Sequence, residues 1–138
     1  MTSPKRSKAE ITSYKMSRVK KRDTKQEIVV RSVLHRLGYR FRLHDKNLPG
    51  TPDIVLKKHK KIIFVHGCFW HGHKNCRLSS IPKTNSEFWK DKIVRNRKRD
   101  KKVKSDLELM GWSVLIVWQC QIIDTGSLRS SLESFLSS

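Results

Sequence analysis

One short stretch, HGCFWHGHKNC at residues 66–76, constrains this chain more than any other part of its sequence. It holds three histidines and two of the three cysteines, and the third cysteine, Cys120, follows a later apolar segment. A structural zinc site takes four nitrogen or sulfur ligands, so the three cysteines and one histidine would complete it. Spacing leaves His71 and His73 as alternatives for the fourth ligand. The competing interpretation is that the cysteines are small buried side chains and the histidines are surface groups.

The charge balance indicates a polyanionic partner. The chain of 138 residues has 31 Lys plus Arg against 12 Asp plus Glu, a formal net charge of +19. Nucleic acid relieves such self-repulsion most directly, and an anionic membrane surface is the second candidate. No apolar run approaches the roughly 20 residues of a spanning helix, and no hydrophobic segment of a secretory signal follows the basic N-terminus. We therefore expect no membrane partner and a cytoplasmic protein, nucleoid-associated if bacterial.

The chain is predicted to be a basic arm followed by one domain. Residues 1–22 are rich in Lys, Arg and Ser and poor in large apolar side chains, which is typical of a flexible arm. Residues 23–138 have the length and the patterning of a single domain.

Hydrophobic periodicity predicts a helix, three strands, a helix, a strand and a helix, in that order. Thr24 and Glu27 fit a capping box that opens the first helix. A second capping box at Thr84 would open a long basic helix from about Glu87 to Met110, with a break near its middle. The predicted strands are residues 39–43, 53–56, 62–66 and 112–118.

The segment at residues 112–118 is almost continuously apolar, which is typical of a strand buried on both faces. Because a long helix separates it from residues 62–66, a right-handed crossover would make these two strands parallel. The strands at 53–56 and 62–66 would instead form an antiparallel hairpin. The predicted fold class is therefore α/β, with a mixed central sheet flanked by helices.

Acidic and imidazole side chains are expected to meet at one edge of this sheet. Asp53 lies where a turn enters a strand, and the hairpin would bring His66 to the same edge. A carboxylate there could hold Mg²⁺ against a phosphodiester, and a histidine could take a proton or contact a phosphate oxygen. Glu27 could face the same cleft from the first helix. The structural alternatives are capping groups for the two carboxylates and a hydrogen-bonded strand end for His66.

The Pro-Asp pair at residues 52–53, followed by an apolar strand, resembles the opening of the PD-(D/E)xK nuclease core. The second half of that motif is missing, because the chain has Phe-Val-His at residues 64–66, where D/E-x-K is expected. Several stretches together resemble the very-short-patch-repair (Vsr) mismatch endonucleases from about Met16 to Cys120. In chain order they are RDTKQE, LPGTPDIVL, IIFVHGCFWHGHKNC, SEFWKDKIVRNRKRD and GWSVLIVWQC.

The resemblance implies a PD-(D/E)xK endonuclease-like core with one structural Zn²⁺ and a catalytic Mg²⁺. It also implies nicking of one DNA strand on the 5′ side of the thymine in a T·G mispair. That mispair arises when 5-methylcytosine deaminates, and very short patch repair corrects it. The implied partners are this mismatched duplex and mismatch-repair proteins, and we expect the chain to act as a monomer.

Residue roles follow from the same resemblance. Asp53 matches the metal-binding aspartate of the family, and Val65 matches a position whose backbone carbonyl binds the same metal. His71 would handle the attacking water with Glu27, and His66 would contact the scissile phosphate. The implied zinc ligands are Cys68, His73, Cys76 and Cys120.

The resemblance also implies how the mispair is contacted. Exposed aromatic rings in a basic setting can enter the base stack, whereas rings in a core only pack, and the residues alone leave both open. Lys and Arg of the arm and of residues 95–104 would contact phosphates, so affinity would fall with salt. The implied contacts are the wedge Phe69, Trp70 and Trp89, the minor-groove residue Met16, and Lys92 and Asn96 near the mispaired bases.

Two other functions stay open at this point. A non-catalytic, zinc-stabilised DNA-binding module would share the charge and the cysteines, but its acidic and imidazole groups would not converge. A sequence-specific restriction-type endonuclease of related fold would cut both strands of fully paired DNA. The first is tested by the positions of the four side chains predicted as catalytic, and the second by cleavage of paired duplexes.

Overall fold

The computed structural model describes residues 24–68, 71, 73, 76 and 81–138. These residues form three α-helices and a four-stranded sheet. The helices are α1 (Lys25–Arg36), α2 (Ser86–Leu109) and α3 (Thr125–Ser137). The strands are β1 (Arg42–Leu43), β2 (Ile54–Leu56), β3 (Lys61–His66) and β4 (Ser113–Trp118). Short 3₁₀ turns at Lys57–His59 and Gln119–Ile123 follow β2 and β4.

Several sequence predictions fall outside the described residues. These are the basic arm at residues 1–22 with Met16, and the wedge residues Phe69 and Trp70. Within the described part of the chain, none of the helices has both the length and the apolar character needed to cross a membrane.

The sheet is mixed, as the sequence predicted. Its strand order is β1-β2-β3-β4, with antiparallel pairing of β1 with β2 and of β2 with β3, and parallel pairing of β3 with β4. The helix α2 is the crossover between the two parallel strands. Because His66 pairs with Trp118 in this register, the carboxyl ends of β3 and β4 lie side by side. The predicted hairpin and the predicted parallel pair are therefore both confirmed.

Apolar side chains of alternate strand positions build a core on each face of the sheet. On one face Ile54 and Ile63 pack with side chains of α1 and α3, including Leu34 and Leu132. On the other face Val55, Ile62 and Phe64 pack with Leu107 and Trp112, at the end of α2 and just beyond it. Successive strand residues point to opposite faces, so β2 and β3 are buried on both sides. The result is a sheet covered by helices on both faces.

The start of α2 differs from the sequence prediction. The helix begins at Ser86, and its N-cap is Asn85 rather than Thr84. Asn85 adopts a left-handed conformation with φ 57° and makes no side-chain capping hydrogen bond. The helix also has no break in its middle. Its buried residues Ile93 and Leu107 lie on either side of its middle.

Two strands also differ from the prediction. The strand predicted at residues 39–43 is ordered only as Arg42–Leu43, and both residues are exposed. Residues 112–118 form a strand, but only Val117 within β4 is buried, so burial on both faces was wrong. The physical reason is position, because β1 and β4 are the two edges of the sheet. An edge strand has a neighbour on one side only, and this leaves more of its surface open.

Candidate active site and metal cluster

A tight turn places Asp53 at the entrance of β2. Gly50 has φ 74°, and a Cβ atom there would lie 2.5 Å from a methyl group of Val103 on α2. Glycine is therefore required both by the left-handed conformation and by the close approach of the helix. Thr51 is also left-handed, with φ 45°. Asp53 follows directly, and its Oδ2 accepts a hydrogen bond of 2.8 Å from the backbone N–H of Val65 on β3.

The surroundings of Asp53 disfavour its charge. The pKa of its carboxyl group is raised from 3.8 to about 6, mainly by burial and also by the nearby carboxylate of Glu27. The hydrogen bond from Val65 acts in the opposite direction and lowers that pKa. A bound cation would remove this electrostatic cost, because it favours the ionised carboxylate. The oxygen donor and its raised pKa fit a hard divalent cation.

Glu27 faces Asp53 from the first turn of α1. Its backbone N–H donates to Thr24 Oγ1 at 3.2 Å, which is the capping contact that the sequence predicted. Glu27 is buried, with only 2% of the residue exposed. Its Oε2 lies 2.8 Å from Arg31 Nη2 and 3.0 Å from His44 Nε2. Donor atoms of Glu27, His44 and Asp53 lie within 4.8 Å of one another. Glu27 therefore takes part in the capping contact at the start of α1 and also lies beside Asp53.

His66 and His71 lie together beside this pair of carboxylates. Their rings stack with centroids 3.7 Å apart and planes 6° apart. His71 Nδ1 lies 2.5 Å from Asp100 Oδ2 on α2. Burial lowers the pKa of His66 to about 3, so its ring is neutral near pH 7. Its buried Nδ1 has no hydrogen-bond partner among the residues that the structure describes. We call Glu27, Asp53, His66 and His71 the carboxylate–histidine edge.

Two members of this neighbourhood were not predicted from the sequence. Asp100 is a single carboxylate inside the basic run at residues 95–104, and that isolation was the available signal. His44 is buried although it follows the exposed strand β1, and nothing in the local sequence pattern singles it out.

A second cluster lies beyond the end of β3. The donor atoms of Cys68, His73, Cys76 and Cys120 all lie within 4.8 Å of one another, and we call these residues the Cys–His cluster. Cys68 Sγ is 3.6 Å and Cys120 Sγ is 3.4 Å from His73 Nδ1. Ligands around tetrahedral zinc, with bonds of about 2.0–2.3 Å, lie roughly 3.5 Å apart. Both the donor set and the spacing therefore fit zinc.

The two histidines left open by spacing have different surroundings. His73 lies in the Cys–His cluster, whereas His71 stacks on His66 and contacts Asp100. Burial raises the pKa of the Cys68 thiol, and it acts in the same direction on Cys120. Metal binding would require these thiols to lose their protons, which a divalent ion favours.

Aromatic rings connect the two groups. Trp118, the last residue of β4, stacks on His73 with centroids 4.1 Å apart and planes 9° apart. The same indole meets the ring of His66 edge-on, with centroids 5.3 Å apart. One tryptophan thus contacts a member of each group, which fixes their relative position.

Comparison with known proteins assigns the chain to a family. A family model described as DNA mismatch endonuclease Vsr matches residues 5–77. The chain belongs to the Vsr family. Type II nicking enzyme V.XorIIP of Xanthomonas oryzae pv. oryzae is 49% identical over 123 residues, which cover 89% of this chain and 90% of that protein. This membership confirms the predicted resemblance and identifies the chain as an endonuclease that acts on DNA.

Further relatives agree with this assignment. Type II nicking enzyme V.NmeAIP of Neisseria meningitidis is 42% identical, and the match covers 87% of this chain and 85% of that protein. DNA mismatch endonuclease Vsr of Escherichia coli is 44% identical over 80% of this chain and 70% of its own length.

In this Vsr-family chain the first turns of α2 hold the remaining DNA-contact candidates. Trp89 is only 2% exposed, so its buried position does not match the exposed ring that a wedge requires. Its neighbour Phe88 is 49% exposed, and the two rings meet edge-on at 5.0 Å. Trp89 packs under the helix because its position, with Ile93, faces the protein interior. Lys92 lies with its Nζ 5.9 Å from the Trp89 ring centroid.

Lys92, Asn96 and Asp100 form one half-buried line along α2. They are four residues apart, so they lie on successive turns of the same helix face, about 6 Å apart along the axis. Because Asp100 contacts His71, this line runs away from the carboxylate–histidine edge. The exposed cations of the helix are Lys90, Arg95, Arg97, Lys98, Arg99, Lys101, Lys102 and Lys104.

Proposed function

We propose that this chain is a Mg²⁺-dependent endonuclease that nicks one strand of duplex DNA on the 5′ side of the thymine in a T·G mispair. This mispair is the product of 5-methylcytosine deamination. The observation that carries the proposal is that Glu27 and Asp53 lie together where β2 begins, close to the stacked rings of His66 and His71 where β3 ends. The relatives named as a mismatch endonuclease and as nicking enzymes support the mismatch and the single cut.

The carboxylate–histidine edge suits magnesium by its chemistry. The ion would be held by the Asp53 carboxylate and by the backbone carbonyl of Val65, both of them oxygen donors. When bound, Mg²⁺ neutralises phosphate charge and lowers the pKa of water. The raised pKa of Asp53 supports this assignment, because an ion there would offset the burial of its charge.

His71 is suited to take a proton from the attacking water. A carboxylate can only accept hydrogen bonds near neutral pH, so the contact with Asp100 places the proton of His71 on Nδ1. This leaves Nε2 as the basic nitrogen that can accept a proton from water. Glu27, which lies beside Asp53, would help to orient the same water.

His66 is suited to contact the scissile phosphate. Its ring is held between His71 and Trp118, and its lowered pKa keeps it neutral near pH 7. A neutral imidazole has one N–H, which can donate to a phosphate oxygen without adding charge to the site.

The Cys–His cluster would hold zinc in a structural role. Four protein ligands complete a tetrahedral shell and leave no position for water. Zinc there would fix the segment after β3 to the residues after β4, which carry Cys120. Phe69 and Trp70 of the predicted wedge lie between the proposed ligands Cys68 and His73 in the sequence, so zinc would also support these two rings.

Specificity for the mispair would come from Phe69 and Trp70 of the predicted wedge and from α2. A T·G wobble pair is less stable than a Watson–Crick pair, so inserting rings beside it costs less. Asn96 and Lys92, which lie about one and two turns along the helix from Asp100, would reach the mispaired bases. The exposed cations of the same helix would contact phosphates.

Nicking of strand-labelled duplexes in Mg²⁺ tests this proposal. The panel contains T·G duplexes with varied flanking bases and the same duplexes with T·A. We expect a single cut 5′ of the mispaired thymine, and a loss of more than about 10³-fold in Asp53→Asn. Equal cutting by wild type and Asp53→Asn, or no cutting of any T·G duplex, would contradict it. Cleavage of both strands of a paired duplex would instead indicate a restriction-type enzyme.

A further inference from the structure

His44 is a buried residue whose backbone and side chain reach the two carboxylate residues of the proposed active site. It is 8% exposed, although the two β1 residues before it are exposed. Its backbone N–H donates to the carbonyl oxygen of Asp53 at 3.2 Å. Its ring Nε2 lies 3.0 Å from Oε2 of Glu27. One residue thus links the turn that carries Asp53 to the helix that carries Glu27.

The backbone of His44 supports a specific role for this side chain. Its φ of 46° lies in the left-handed region, which residues with a Cβ atom adopt at an energetic cost. A buried non-glycine residue keeps such a conformation only when its surroundings fix it. Here the conformation turns the ring inwards, to the oxygen of Glu27.

The hydrogen bonds to Glu27 come from two directions. Arg31 approaches Oε2 from one turn further along the same helix, at 2.8 Å, and its side chain is 17% exposed. His44 approaches the same oxygen from the chain segment after β1, with a side chain 5% exposed. The arginine contact fixes Glu27 relative to its own helix only. The histidine contact fixes it relative to Asp53, and this is the relation that matters for a shared water or metal.

We propose that His44 is a positioning residue of the nicking reaction. It holds the Glu27 carboxylate in register with Asp53, so that both act on the same attacking water. This inference rests on the proposed function, in which Glu27 and His71 handle that water. It concerns the rate of the chemical step and not the binding of DNA, because His44 is buried and acts through Glu27.

Two amide variants separate positioning from packing. In His44→Gln the longer amide can still donate to Glu27, whereas in His44→Asn it is too short, although Asn tolerates the left-handed backbone well. We expect kcat on a T·G duplex to fall about 10- to 100-fold in His44→Asn with KM within about twofold of wild type. We expect His44→Gln to stay within about fivefold of wild type in kcat. His59→Asn, at an exposed histidine, is the matched control and should match wild type.

The contact between His44 and Glu27 can be tested by a stability measurement that does not depend on nicking activity. Chemical unfolding of His44→Asn, Glu27→Gln and the double variant forms a double-mutant cycle. Effects that are smaller together than in sum support the contact, and strictly additive effects would overturn it. Unchanged kcat in His44→Asn, equal losses in both amide variants, or a change in KM alone would also overturn the inference.

The two proposals fail in different ways. If wild type nicks no T·G duplex, the proposed function fails, and the positioning role of His44 fails with it, although the unfolding cycle still reports the contact. If wild type nicks the mispair and the amide variants do not differ, only the inference about His44 fails.

Discussion

The Cys–His cluster and the carboxylate–histidine edge lie next to each other but differ in the donor atoms that they offer to a metal ion. The cluster offers three thiols and one imidazole, which fit a closed shell around a soft or borderline ion. The edge offers oxygen donors and two stacked imidazoles, with one carboxyl group whose pKa burial raises to about 6. A closed shell gains stability from its metal, whereas an incomplete one keeps room for water and phosphate at a cost in stability. In the proposed function, the domain therefore has its structural support immediately beside its reactive groups.

The largest expected effect is at the Cys–His cluster. Cys120→Ser should lose zinc and should lower the free energy of unfolding by roughly 3 kcal/mol or more, because metal binding is coupled to folding. Elemental analysis and thermal melting measure the two effects. His71→Asn is the matched control, since His71 lies near the cluster but outside it, and it should keep its zinc while losing activity. Unchanged zinc content in Cys120→Ser would remove that residue from the site.

The next largest effect is an increase in stability, expected when the charge of Asp53 is removed. The folded pKa of Asp53, about 6, lies above its ordinary value of 3.8, so the folded state binds more protons than the unfolded state between these values. Stability from this group is therefore lost as pH rises from about 4 to 6. Without Mg²⁺, Asp53→Asn should be more stable than wild type by about 1–2 kcal/mol at pH 7.5, after screening by solvent.

The pH dependence provides the control for this prediction. At about pH 4 Asp53 is largely protonated in the folded state, so the difference between wild type and Asp53→Asn should shrink towards zero. Chemical unfolding at both pH values measures it. A variant that is less stable than wild type at pH 7.5 would contradict the view that the edge stores an electrostatic cost.

The smallest effect should be at the ring that joins the two regions. Trp118→Leu removes the stack on His73 and the edge contact with His66. We expect zinc to be retained, stability to fall by about 1 kcal/mol, and nicking to slow about 5- to 10-fold through misplacement of His66. Metal content, melting and single-turnover nicking measure the three. A nicking rate equal to that of wild type would show that the regions are independent.

Much of the fold could be predicted because it depends on local patterns. The apolar stripe of α1, the hairpin of β2 with β3 and the parallel pairing across α2 all follow from periodicity and handedness. The burial of β4 could not be predicted in the same way. An apolar segment has the same letters in a central strand and in an edge strand, and only the strand order separates them.

The candidate site was predictable where chemistry is concentrated in the sequence and not elsewhere. The dense Cys and His residues at 66–76 indicated a metal cluster, and Asp53 after a proline indicated a strand entrance. Asp100 and His44 were not predicted, because only the tertiary structure brings them to the site. Asp100 comes from a basic helix and His44 from a residue with a left-handed backbone. The burial of Trp89 could not be predicted from the sequence either. Phe88 beside it is also aromatic, and only the orientation of the helix determines which of the two rings is buried.

Removing metal from one region at a time tests the comparison most directly. A chelator that binds Mg²⁺ but does not extract structural zinc should abolish nicking and lower the melting temperature by no more than about 4 °C, because only the ion that offsets the charge of Asp53 is lost. A high-affinity zinc chelator should remove about one zinc per chain and should lower the melting temperature by roughly 10 °C or more, with added Mg²⁺ giving no rescue. Equal melting losses with both chelators, or full nicking with no divalent ion other than the retained zinc, would contradict the division into a structural cluster and a catalytic edge.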